Sequence, residues 1–327
     1  LVQSNRSNLP HIVVKKMIDL SDNLHMARLC LRELTILKKM NHENIARLLT
    51  TYTLDPNETS LCTVYHITEF CGKSLRQVIE QNDRIQMRDV KLLITQLLRA
   101  CKYLNSASVI YRDLKPDNIY CDDKGKLKLL EFGLARVIDR DQNMTNDRGE
   151  YSYMAIEMMR EWTGQYDEKV DIWSVGAILC ELLTGEAVFG EHGRHSLDMQ
   201  IKKCGPIDDN VLDMIGNDYM RQLLREESRR ATRIDFIQYL MDEGREWLKP
   251  EILRDRDDLS SFIDLTLQFN PNRRMTVDEA LSHPFLAAIY DSTRNDNAQS
   301  AVPAEPPLPE DEREALRECK RRIWEEI

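Results

Sequence analysis

The sequence predicts an α+β fold of two lobes, a small β-rich lobe followed by a larger helical one. Three observations carry this. The β-branched runs HIVVKKM and TVYHITEF fall within the first 70 residues, and such residues suit a pleated, half-buried surface. Beyond them, apolar positions recur at helical spacing. The segment DIWSVGAILCELLTG, from Asp171, is apolar nearly all round, as a helix at the centre of a large core must be.

Each element follows in order. The run from His11 reads as a strand. Ser21 is placed to cap a helix reaching about Lys39, with Leu24, Leu31, Leu34 and Leu37 on its apolar face. Thr63 to Phe70 is the next strand, and Gly72 loosens the backbone after it into a hinge. A long amphipathic helix covers Met87 to Asn105. VIYRDLKPDNIY and KLKLLEF are short strand–loop segments. From Ala298 to Asp311 the chain is rich in Pro and Glu and reads as extended, and the charged run DEREALRECKRRIWEEI is an amphipathic helix expected to pack back on the surface. No internal repeat is present. The expected units are a partial, truncated small lobe at 1–70, a large lobe with an inserted helical region at 71–290, and a C-terminal extension at 291–327. The chain opens on Leu1, in keeping with a fragment.

Composition narrows the functional classes. The 327 residues carry a formal net charge of -10, with 42% hydrophobic and 31% charged residues. An acidic surface argues against general nucleic-acid binding and against docking on anionic membranes, and leaves room for basic peptide partners. The 8 cysteines include no Cys-x-x-Cys pair, so they read as reduced thiols, not as a disulfide frame or metal site. No run of about 20 apolar residues and no signal peptide is found, so a cytoplasmic or nuclear protein is expected.

The chemistry concentrates in YRDLKPDN, Tyr111 to Asn118. An Asp followed two residues later by Lys and five later by Asn suits phosphoryl transfer. Asp113 orients a hydroxyl and accepts its proton, Lys115 neutralises the moving charge, and Asn118 holds a metal ion. The segment resembles the protein-kinase catalytic loop, with Tyr111 in place of the usual His. EFGLAR from Glu131 resembles the Asp-Phe-Gly motif that follows, and VVKK resembles the strand whose lysine, here Lys15, faces the phosphates. Glu33 is placed to pair with it. DIWSVG and NPNRRMTVDEALSHPF match later signatures, in which Arg274 pairs with Glu157. The resemblance covers His11 to Leu286 and is nearest the MAP kinases, especially their stress-activated branch, on KKMNHENIARLL, VYHITEF, DIWSVGAILCELLTGEAVF and the insert after Phe189.

That resemblance implies ATP and Mg²⁺ as cofactors. Lys15, Glu33, Thr68, Ser74 and Tyr120 would line the nucleotide site, and Asn118 with Glu131 would hold the metal. It implies protein substrates, docking peptides with basic motifs, and an upstream MAP kinase kinase acting at Thr145. A phosphate there would be gripped by Arg112 and Arg136; the alternative is an unmodified exposed threonine. Asp291 and Asp296 fall where the family keeps an acidic docking patch, or else form a solvated acidic turn.

The sequence also departs from an active kinase. Residues 1–10 contain no glycine, so no glycine-rich loop precedes Lys15. Glu131 stands for the metal-holding Asp, although Mg²⁺ tolerates little departure from about 2.1 Å. Val13 and Tyr120 add bulk around the adenine, and Ser74 replaces a ribose-binding Asp. In the activation segment Asp147 replaces the tyrosine of Thr-x-Tyr, and Tyr151 and Met154 replace its two arginine receptors. Glu150 replaces the threonine that contacts the catalytic Asp and is expected to repel Asp113. The pocket for a substrate proline is altered too. Two functions follow: a serine/threonine kinase of impaired activity, or a catalytically inactive pseudokinase acting as a docking or scaffold module.

Overall fold

The β-branched run after His11 forms strand β1 (Ile12–Met17) of the small lobe. The computed structural model describes residues 11–81, 85–138, 150–159, 162–190 and 193–327. Helix α1 (Leu24–Leu37) begins later than its sequence suggests. Asn23, not Ser21, is its cap, accepting the Met26 N–H at 3.1 Å. Ser21 sits in the preceding turn, its hydroxyl bonded to the Asp22 carboxylate, after the chain bends through a left-handed Asp19 (φ 63°). Strands β2 (Leu48–Tyr52) and β3 (Val64–Glu69) complete an antiparallel sheet in the order β1-β3-β2, with Val13 opposite Thr68 and Lys15 opposite His66.

Gly72 carries the chain between lobes at φ 94°, and a Cβ there would lie 2.0 Å from the Cys121 carbonyl oxygen. Only glycine fits. Strand β4 (Lys73–Ser74) and helix α2 (Leu75–Glu80) follow, then α3 (Met87–Ser106). Four short strands come next: β5 (Val109–Ile110), β6 (Ile119–Cys121), β7 (Leu127–Leu129) and β8 (Arg136–Val137). They build a β4-β6-β7 sheet and a β5-β8 pair that cradle the loop between them. Helix α4 (Lys169–Thr184) is buried along almost its whole length and ends at Gly185, in the left-handed region. Its Trp173 packs on Phe189 and Phe269.

Further helices follow from Gly193–Cys204 to Val277–Leu281, of which Phe236–Glu243 and Arg256–Thr266 pack with α3 on α4. The last helix, Glu312–Glu326, returns to the small lobe: Cys319 and Ile323 join Leu31, Leu34 and Val64 in its core. All eight cysteines are free. Among the described residues, no helix is long and apolar enough to cross a membrane.

Candidate active site

Three elements fix the loop between β5 and β6. Asp171, in the first turn of α4, accepts the N–H groups of Tyr111 (2.9 Å) and Arg112 (2.8 Å). Burial pushes its carboxyl up to about 6 although both bonds pull the other way. Arg112 takes a left-handed conformation (φ 68°), and its guanidinium donates to the Leu134 carbonyl at 2.7 Å and the Tyr166 hydroxyl at 2.9 Å. Tyr111 donates to the Leu130 carbonyl and meets the Phe132 ring edge-on. It therefore ties the loop to the residue before Glu131.

The reactive groups lie on this frame. The Asn118 amide donates to the Asp113 carboxylate at 2.7 Å and to its carbonyl at 2.8 Å. Lys115 Nζ is 3.8 Å from Asp113 and 3.4 Å from Glu150. Burial raises the Asp113 carboxyl above its usual range; Lys115 and Asn118 oppose this, while Glu150 and Glu131 reinforce it. Glu150 thus adds to the upward push on the Asp113 carboxyl, and it also lies 3.4 Å from Lys115, which the sequence alone did not suggest.

From the small lobe, Lys15 bonds both Glu33 oxygens (2.7 and 2.9 Å) and reaches Glu131 at 2.5 Å. Burial favours the neutral amine, and the two carboxylates outweigh it, holding the ammonium above its ordinary value. Glu131 occupies the left-handed region at φ 63°, where a non-glycine residue stores strain.

A narrow cleft of about 30 Å³, far below the range of small-molecule sites, is lined by Val13, Ala46, Thr68 and Leu130 together with this cluster. Tyr120 packs on Ala46, Cys71 and Leu130. Ser74 is spent on capping α2: its hydroxyl takes the Gln77 N–H while Gln77 answers to the Ser74 N–H. The Ser-x-x-Gln spacing would have revealed this.

Other expected residues divide. Glu157 and Arg274 meet, fully buried, at 2.5 Å. Arg136 lies on β8 opposite Ile110. Thr145 and Asp147 lie outside the described residues. Asp291 is exposed. Asp296, expected beside it on a docking surface, is buried instead, because Arg99 of α3 binds both its oxygens (2.6 and 2.9 Å) and His42 approaches at 3.4 Å. It cannot serve as a surface contact. A cluster missed in the sequence joins the loop to α4: Arg76 bonds Glu181, the Tyr153 hydroxyl (2.7 Å) and, more loosely, Asp117 (3.4 Å). Its only signal was a lone acid inside the apolar run AILCELL.

A family model described as protein kinase domain matches residues 3–286. The mitogen-activated protein kinase pmk-1 of Caenorhabditis elegans is 33% identical over 318 residues, covering 97% of this chain and 78% of that protein. This chain belongs to the MAP-kinase family. Mitogen-activated protein kinase 6 of Oryza sativa subsp. japonica is 33% identical, over 88% of this chain and 73% of its own length. Mitogen-activated protein kinase 4 of Arabidopsis thaliana is 32% identical, over 88% and 73%.

MAP kinases are serine/threonine protein kinases that use ATP and Mg²⁺, act on protein substrates and interact with upstream kinases. The residues here fit such a nucleotide in kind, with a lysine, an amide and a carboxylate at hand. In arrangement, Glu131 is turned onto Lys15, and Tyr120 packs on Ala46 and Leu130 of the cleft wall.

Proposed function

We propose that this chain is a MAP-kinase-type serine/threonine kinase domain whose phosphoryl transfer is impaired. The observation that carries this is Lys15 held by two carboxylates, Glu33 and Glu131. The phosphate-facing cation must shed one partner before it can serve a nucleotide, and the carboxylate meant for the metal is the one in the way. Asp113, clamped by Asn118, accepts the hydroxyl proton of a substrate serine or threonine. Lys115 faces the transferred group only once Glu150 releases it. Thr68 lines the cleft, and Ser74, just past the hinge, would meet the ribose of a bound nucleotide only by giving up its cap on α2. Thr145 is the site for an upstream kinase, and a phosphate placed there would be taken up by Arg112 and Arg136; the exposed Asp291 takes part in docking basic peptides. The organisation is a partial small lobe at 1–70, a large lobe at 71–290 and an extension at 291–327, acting in the cytoplasm or nucleus.

A second reading, a pseudokinase that docks or scaffolds partners, is favoured by Tyr120 against Ala46 and Leu130. One comparison separates the two. Phosphate transfer from Mg–ATP to a degenerate Ser/Thr peptide library is measured for the native chain and for Glu131→Asp. Shortening the side chain by one methylene should raise the rate by about 10- to 100-fold, the scale set by ångström misplacement at a reacting centre. If neither chain transfers phosphate and Mg–ATP leaves both unfolding midpoints unchanged, the kinase reading fails and the scaffold reading stands.

A further inference from the structure

We propose that Glu150 makes this site select protein segments carrying an arginine or lysine beside the acceptor hydroxyl. This substrate class rests on reading the cleft as a protein-kinase site. Among the described residues, the corner around Asp113 is short of positive charge that is not already engaged. Lys115 stands between Asp113 and Glu150, at 3.8 and 3.4 Å. The neighbouring described cations are engaged elsewhere: Lys15 by Glu33 and Glu131, Arg76 by Glu181, Tyr153 and Asp117, and Arg112 by the Leu134 carbonyl and the Tyr166 hydroxyl. Two further carboxylates remain open to solvent there, Glu131 at 42% and Asp117 at 49% side-chain exposure.

Glu150 is within reach of an incoming chain. Its side chain is 33% exposed, its contact with Lys115 is loose, and it precedes the stretch Tyr151–Met159 that runs to Glu157. A peptide guanidinium or ammonium beside the acceptor would take Glu150 as its partner in a charge-assisted bond. Lys115 would then be left to Asp113 and the acceptor. Substrate charge thereby does two things: it binds, and it completes the catalytic pair. The same carboxylates repel a segment with Glu or Asp at that place, a discrimination by mismatched charge. A proline-flanked segment, uncharged there, falls between.

The test uses the whole chain and three fluorescein-labelled peptides of equal length. Each has one serine, flanked by arginine, by proline or by glutamate, and binding is followed by fluorescence anisotropy without nucleotide. The arginine peptide should bind at least 10-fold tighter than the glutamate peptide. Glu150→Gln should shrink that gap to under 3-fold, and Glu150→Lys should reverse the order, with both variants keeping the native unfolding midpoint. Equal binding of the three peptides, no binding of any, or a preference untouched by Glu150→Gln overturns the proposal. Phosphate transfer is scored separately. An arginine peptide that binds through Glu150 but is never phosphorylated, even by Glu131→Asp, sinks the kinase reading and leaves the selectivity standing. Phosphorylation indifferent to flanking charge does the reverse.

Discussion

Two carboxylate–cation clusters in this molecule use the same chemistry to opposite ends. In the large lobe, Arg274 and Glu157 are 0% and 1% exposed. The guanidinium also donates to the Gln268 and Lys169 carbonyls and lies 5.3 Å from the Trp173 ring centroid. Charge is matched one to one and the donors are used up. In the cleft, one ammonium serves two carboxylates, with Lys15 28% and Glu131 42% exposed. A closed, dry pair cannot trade partners without leaving a buried charge bare. An open, unbalanced one can. The first therefore holds the fold, and the second is where ligands and substitutions act.

The sharpest way to break this contrast is Arg274→Ala, which strands Glu157 among apolar neighbours. A loss of about 3–5 kcal/mol is expected, read from urea unfolding. A loss below about 1 kcal/mol would mean that the pair is ornamental. Lys15→Met should come next, at about 1–3 kcal/mol, because Glu33 is only 3% exposed but water reaches the other side of the cluster. A loss as large as that of Arg274→Ala would erase the difference between closed and open clusters.

The finest effect is on pH dependence. Asp113 must be ionised to accept a proton, and its raised carboxyl is neutralised at a higher pH than an ordinary aspartate. Activity should therefore fall as pH drops through that raised value. Glu150→Gln removes one of the groups pushing it up, so the acid limb should move to lower pH. The measurement is the pH profile of phosphate transfer in the Glu131→Asp background. An unmoved limb would mean that Glu150 acts on Lys115 alone.

Those sites also mark the limits of reading from sequence. The strands from His11 and Thr63 and the central helix were legible from their residue patterns, and the pairings Lys15–Glu33 and Glu157–Arg274 from the resemblance to the kinase family. The start of α1 was misplaced because Ser21 and Asn23 are both good caps, and only the left-handed turn at Asp19 decides between them. Asp296 looked like a surface acid because its partner, Arg99, lies 197 residues away. The grip of Glu131 on Lys15, and the looser approach of Glu150 to Lys115, depend on the tertiary placement of side chains whose residue types suggested different partners. Long-range ion pairing leaves no local pattern, so the fold was readable and the state of the cleft was not.

The placement of Cys319 and Ile323 in the small-lobe core has a consequence for synthesis. The small lobe lacks part of its interior until Cys319 and Ile323 have been translated. At roughly 5–20 residues per second, the nascent Leu31 and Leu34 wait on the order of tens of seconds for their partners. Through that interval the early chain carries an uncovered apolar face, and a chaperone or the emerging large lobe must shield it.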